Sequence, residues 1–155
     1  MNNLKHFNIR VYGILINEKK EVLLSDEYVS DQYMTKFPGG GLKFGEGPED
    51  CILREALEEF GQEAEIIGHF YTTGFFQKAL FFEDHQLISI YYRIKLKKSP
   101  AFKTSEKIYD FPSPVNGSQS FRWAAIDKMK NESLSFPIDQ FVLTLLKKAN
   151  KEARL

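Results

Sequence analysis

The chain has one cysteine, Cys51, so no disulfide can close within it. That suits a reducing compartment. It has no excess of either charge: 21 lysines and arginines balance 21 aspartates and glutamates. A general nucleic-acid binder would carry a basic surplus, so no nucleic-acid partner is expected. It has no run of about 18 apolar residues, the minimum for a membrane-spanning helix. The opening MNNLKHFNIRVYGILIN lacks the apolar stretch and small-residue cleavage site of a signal peptide. The expectation is a cytoplasmic protein that does not engage a membrane. The three histidines, His6, His69 and His85, are scattered and show no metal-ligand spacing. Cys51 has no paired histidine motif and reads as structural rather than nucleophilic.

What is present fits one domain spanning residues 1–155. Phenylalanine is abundant, 14 residues, beside 7 tyrosines and the lone Trp123. Large rings at this density point to a β-rich core, with core packing the default for Trp123. The Phe75–Phe76 and Phe81–Phe82 pairs are candidates to stack on a base or to form a dimer contact. Residues 7–16, FNIRVYGILI, and the later EVLLSDEY are β-branched and apolar on either side of the polar NEKK, which predicts two strands joined as a hairpin. SDQYMTK reads as a loop, and FPGGGLKFGEG as an irregular or extended glycine-rich segment. EAEIIGHFYTTGFF and QLISIYYRIKL read as strands, with QKALFFEDH between them a hairpin end or a partner-contacting loop. The proline-bearing stretch KKSPAFKTSEKIYDFPSPVNGSQ reads as loop, and FRWAAI as a short strand. RIKLKK at 93–98 reads as the alternating outer face of a strand.

Two helices are predicted. Residues 48–60 begin at Pro48, whose missing N–H costs nothing at the first helical position, and end before Gly61, suited to a left-handed cap. Ile52, Leu53, Ala56, Leu57 and Phe60 recur at helical spacing as its apolar face. PIDQFVLTLLKKANK closes the chain with Ile138, Phe141, Val142, Leu145 and Leu146 as its stripe. Strands, helix, strands, helix is an α+β order.

The first helix also carries Glu55, Glu58 and Glu59, three and four residues apart. On one face these carboxylates repel by a few tenths of a kcal/mol each. A solvated acidic surface tolerates that. A half-buried one needs a cation, and hard divalent ions such as Mg²⁺ take oxygen ligands together with substrate phosphates. Just upstream, Gly39, Gly40 and Gly41 permit close approach of a ligand to the main chain. The loop lacks the GK[ST] ending of a P-loop. Glycine freedom beside an acidic helix face points to a metal–phosphate site.

The residues from Gly40 through Glu46 to Arg54, Glu55, Ala56, Glu58, Glu59 and Gly61 resemble the Nudix box. Every charged and glycine position agrees; Ala56 is a small aliphatic, and Gln62 replaces the final aliphatic residue. The box covers about 23 residues, and the order of elements outside it resembles the rest of a Nudix domain. The resemblance implies an α/β/α sandwich around a mixed β-sheet and hydrolysis of a nucleoside diphosphate linked to another moiety. It implies that Glu55, Glu58 and Glu59 hold Mg²⁺ or Mn²⁺, with the Gly40 carbonyl and Glu46 contributing. It assigns the attacking water's base to Glu55 or Glu58 and the bracing of the glutamates to Arg54. Gly39, Gly40 and Gly41 would line the phosphates. Some relatives use a further glutamate before the tryptophan strand; here NGSQSFRW offers only Gln119, and Glu83, Asp84 and Glu106 remain as other acids.

Two further readings stand beside a Mg²⁺-dependent hydrolase. One is a Nudix-fold module that binds a nucleotide without turnover, for which a full set of box glutamates has no chemical use. The other is a prenyl diphosphate isomerase, for which the chain lacks a suitably placed cysteine. The expected partner is a small nucleoside diphosphate derivative, of nucleotide-sugar or nucleoside triphosphate type, and a homodimer stays open.

Overall fold

The computed structural model describes residues 3–155. Its strands are β1 (His6–Leu15), β2 (Glu21–Val29), β3 (Gln32–Lys36), β4 (Gly39–Gly41), β5 (Ala64–Thr72), β6 (His85–Leu96) and β7 (Ser118–Ala125). The helices are α1 (Pro48–Phe60) and α2 (Pro137–Lys151). Two compact units form, one from the chain up to Gly13 with Gly39–Ala101, the other from Ile14–Pro38 with Phe102–Leu155.

The first unit holds the sheet β4-β1-β6-β5 and helix α1. Strand β4 runs antiparallel to β1, with Gly41 opposite Arg10, Gly40 opposite Val11 and Gly39 opposite Tyr12. The helix starts and stops where the sequence says. Pro48 is at its first turn, the Gly47 N–H donates to Asp50 Oδ2 at 2.9 Å, and Gly61 closes it with φ 65° while donating to the Leu57 carbonyl. The buried face comprises Cys51, Ile52, Ala56 and Phe60; Leu53 is half-buried and Leu57 is 52% exposed. The expected apolar face is therefore rotated toward Cys51. Each large apolar side chain so buried contributes about 1.5–3 kcal/mol.

Gln62, the one departure from the box, has a job of its own. Its Nε2 donates to the Ser99 carbonyl at 3.0 Å, and its Oε1 accepts from the Ala101 N–H at 2.8 Å. The amide ties the chain leaving β6 back to the end of α1, work an aliphatic side chain cannot do.

The second unit holds the sheet β3-β2-β7 and helix α2. SDQYMTK is not a loop: Gln32–Lys36 pairs with β2, with Asp26 opposite Thr35. Ser30 and Asp31 take positive φ of 50° and 60°, so a two-residue turn without glycine closes this hairpin. Two of its polar residues, Thr35 and Lys36, are buried and bonded to β2, Lys36 Nζ to Glu27 Oε2 at 3.0 Å. Asp26, fully buried, accepts from Thr35 Oγ1 at 2.7 Å and from both Arg122 Nε and Nη2 at 2.9 and 3.1 Å. By contrast the expected β1–β2 hairpin is reduced to one bridge, Ile16 to Val22, and the two strands belong to different sheets. On α2 the buried stripe is Ile138, Val142, Leu143, Leu146 and Ala149, while Phe141 is 40% exposed. Leu143 takes the flank expected for Phe141 and Leu145.

Trp123, opposite Leu23 on β7, is half-buried. Phe75, Phe76, Phe81 and Phe82 are all exposed, so they do not form core. Lys95 and Lys97 pair with Glu65 and Glu63 at 3.2 Å on the exposed strand surface, as the alternation at 93–98 predicts. Among the described residues no helix is long and apolar enough to cross a membrane.

Candidate active site

Three acidic residues of the box, Glu46, Glu55 and Glu58, converge on one cation that the chain itself supplies. Arg54, one position before Glu55 on α1, grips Glu46 with two hydrogen bonds, Nε to Oε2 at 2.9 Å and Nη2 to Oε1 at 2.6 Å. Its Nη1 donates to Glu55 Oε1 at 2.9 Å and to Glu58 Oε2 at 3.2 Å. Its Nη2 also reaches the Gly41 carbonyl at 3.1 Å. One planar guanidinium thus braces three carboxylates and the glycine strand, a geometry that a lysine's point charge cannot reproduce.

The side chains of Glu46 and Glu55 are each 14% exposed, whereas that of Glu58 is 54% exposed. Glu46 is fixed further by the Lys43 N–H, which donates to its Oε1 at 2.9 Å. The hydrogen bonds from Arg54 outweigh desolvation and hold the Glu46 carboxyl down at about 2. The same bonds, to Glu46 first, raise the Arg54 guanidinium above its ordinary value. Glu59 is half-buried on the same helix.

The glycine strand explains how Glu55 comes so near the backbone. A Cβ on Gly40 would lie 2.1 Å from Glu55 Oε1 and 2.4 Å from its Cδ. Only glycine leaves that volume to the carboxylate. Beneath Arg54, the buried Cys51 has its Sγ 3.5 Å from the Gly41 carbonyl and 3.6 Å from Arg54 Nη2. Burial, with Glu46 close by, pushes the thiol up to about 11. Cys51 is a neutral packing group under the site; its only sequence signal was its place beside the helix's apolar stripe.

The other acids are placed differently. Glu83 and Glu106 are exposed. Asp84 accepts from His85 Nδ1 at 2.7 Å and faces His6 Nε2 at 3.7 Å, and these contacts, His85 foremost, lower its carboxyl. His6 and His85, scattered in sequence, have ring centroids 4.9 Å apart. Gln119 Nε2 donates to Ser25 Oγ in the second unit. Among the described residues no three His, Cys, Asp or Glu side chains are already arranged to hold an ion. The oxygens gathered on Arg54 are hard donors of the kind that divalent ions such as Mg²⁺ take.

The Nudix domain family model matches residues 6–145. The chain belongs to the Nudix family. Among curated relatives, an RNA pyrophosphohydrolase of Psychromonas ingrahamii is 31% identical over 121 residues, 77% of this chain and 54% of that protein. An 8-oxo-dGTP diphosphatase of Escherichia coli is 38% identical over 61 residues, 37% of this chain and 46% of that protein. The chain spans between a third and about half of the length of the first curated relatives it matches. Among solved structures, a Nudix hydrolase from Nitrosomonas europaea aligns with TM-score 0.65 and 18% identity, covering 93% of this chain and 90% of that one. This likeness and the family match give the α+β Nudix fold, a mixed sheet with two helices, expected from the box.

Proposed function

We propose that this Nudix chain hydrolyses a phosphoric anhydride in a nucleoside diphosphate linked to another moiety, of nucleotide-sugar or nucleoside triphosphate type. The observation that carries the reading is the convergence of Glu46, Glu55 and Glu58 on Arg54 beside Gly40 and Gly41. A face that only faced solvent has no need of a shared guanidinium brace or of a glycine kept clear for Glu55. The names of the curated relatives, a pyrophosphohydrolase and a diphosphatase, support the same reaction class. We take both units as one working domain, since the family match runs through both.

In this reading Glu55, Glu58 and Glu59, with Glu46 and the Gly40 carbonyl, hold Mg²⁺ or Mn²⁺. A divalent ion bound there supplies charge neutralisation of the diphosphate and a water of lowered pKa. Glu55 or Glu58 takes the proton of the attacking water. Arg54 keeps both carboxylates oriented. Gly39, Gly40 and Gly41 present main chain without side chains, so phosphate oxygens reach it.

The test is a panel of nucleotide sugars, nucleoside triphosphates, dinucleoside polyphosphates and 5′-triphosphorylated RNA, each with Mg²⁺ and with Mn²⁺. Wild type turns over at least one. Glu58→Gln loses about 10²-fold or more of that turnover, the usual contribution of a general base, and keeps its Tm because the side chain is largely exposed. A wild type inert on the whole panel sinks the hydrolase reading in favour of a binding module.

A further inference from the structure

We propose that the exposed tip of the β5–β6 hairpin is the surface through which two copies of this chain pair about a two-fold axis. The inference does not depend on which reaction the chain catalyses.

The run FFQKALFF, Phe75 to Phe82, sets five large apolar side chains between β5 and β6. Phe75, Phe76, Leu80, Phe81 and Phe82 are between 40% and 54% exposed. At about 200 Å² for a whole ring, the five offer water about 450 Å² of apolar surface. A stable interface takes about 800 Å² from each partner, a little over half of it apolar. One short segment therefore holds about the apolar share that one side of a dimer requires.

The tip is also ordered before any contact is made. The Ala79 N–H donates to the His85 carbonyl at 2.9 Å and the Leu87 N–H to the Gln77 carbonyl at 2.8 Å, which pairs 77–79 with the start of β6. The Asp84 carbonyl accepts from the Lys5 and His6 N–H groups at 2.8 and 3.1 Å. Phe82 packs on His85 and His85 on His6, with ring centroids 4.9 Å apart in both pairs. A surface already fixed loses less conformational freedom on binding.

The charges beside the rings indicate the occupant. Lys78 and Glu83 bracket residues 79–82, and both are exposed. Among the described residues neither side chain has an ion-pair partner. A two-fold axis through the rings brings Lys78 of one copy to Glu83 of the other, and does so twice, because an isologous contact repeats itself. Residues 73–85 carry one lysine against two carboxylates, Glu83 and Asp84. That balance repels an anionic lipid surface or a nucleic-acid backbone.

Sedimentation velocity across a dilution series tests the pairing. Wild type passes from the 18.0 kDa chain mass to twice that mass as concentration rises. Leu80→Asp and Phe81→Asp raise the dimer Kd about thirtyfold or more, the size of a hot-spot loss. Both keep the wild-type Tm, because the side chains are exposed. Lys78→Glu and Glu83→Lys each raise Kd about tenfold by setting like charges opposite one another. Mixed in equal amounts, these two variants recover both opposite-charge pairs and form a heterodimer of near wild-type strength. Should an aspartate variant fail to fold, the mixed charge variants decide. A wild type that stays monomeric at every concentration overturns the assignment, and so does a dimer indifferent to all four substitutions. A monomer that binds phosphatidylcholine vesicles through these rings overturns it in favour of a membrane. Variants that keep their mass but lose turnover overturn it in favour of rings that touch substrate.

Discussion

The three consecutive glycines should respond to alanine in three different ways. At Gly40 the new methyl meets Glu55 Oε1 at 2.1 Å, and that oxygen has to retreat by more than an ångström to reach the 3.4 Å of ordinary contact. The obstacle is the free end of a side chain, so the fold can yield by swinging the carboxylate away. The cost is at most the Glu55–Arg54 bond, about 1.5–3 kcal/mol for a charged hydrogen bond if nothing replaces it. Since solvent and Arg54's other partners compensate, about 1 kcal/mol is expected, a Tm loss of about 2–4 °C at this chain length. Turnover should suffer far more, because misplacing a catalytic group by about 1 Å can cost about 10²-fold. At Gly39 the methyl meets the Val11 carbonyl oxygen at 2.1 Å, with the residue at φ 152°. Backbone cannot swing aside, so the β1–β4 pairing is strained and about 3 kcal/mol or more is lost. At Gly41 the nearest atom is Arg10 Nη1 at 3.6 Å, an ordinary contact, and Tm should stay near wild type. Thermal unfolding of the three variants and turnover on the best panel substrate separate these outcomes. The reasoning fails if Gly40→Ala keeps full turnover, or if its activity falls only in step with its Tm.

Two further outcomes follow from the electrostatics around Arg54. Glu46 is held at about 2, below its ordinary 4.5, so its ionised form favours the folded state. That contribution is complete above about pH 4.5 and disappears as pH falls from 4.5 toward 2. The Tm gap between wild type and Glu46→Gln should be constant near neutrality and close across that acid window; a gap that ignores pH refutes the assignment. Cys51 is fully buried with its thiol pushed up to about 11, so a thiol reagent at pH 8 should modify it only as fast as the protein opens. Rapid labelling of the folded protein would show that the packing under Arg54 is wrong.

The box helix was legible because its signals are local. Proline at the start, glycine at the end and carboxylates three and four apart are all read within about four turns. The misreadings have a different origin, because they depend on partners far along the chain. SDQYMTK looks like a loop until Thr35 is seen to bond Asp26 on β2 and, through its N–H, Ser135 Oγ, 100 residues further along. β1 and β2 look like a hairpin because nothing nearby says that β1 extends along β4 and β6 while β2 joins β3 and β7. The rotated face of α1 has a nearer cause: Leu57 outranks Cys51 in hydrophobicity, yet the cysteine lies under Arg54 and Gly41 and the leucine points to solvent.

Gln62 shows how far a motif can be trusted where it fails. The aliphatic residue of the box would serve packing, and its loss reads as a packing change that leaves the implied metal ligands in place. In the structure the amide bonds the backbone at Ser99 and Ala101, so the position still fastens the end of α1, by hydrogen bonds in place of apolar contact. Both bonds are to exposed backbone, where a net hydrogen bond contributes about 0.5–1.5 kcal/mol. Restoring the family's residue is therefore not a repair. Gln62→Leu removes both bonds and adds apolar surface at a half-exposed position, so it should lower Tm slightly, by about 1–3 °C, and leave the carboxylates around Arg54 in place. A clear rise in Tm would mean that burial, not the amide's two bonds, governs this position.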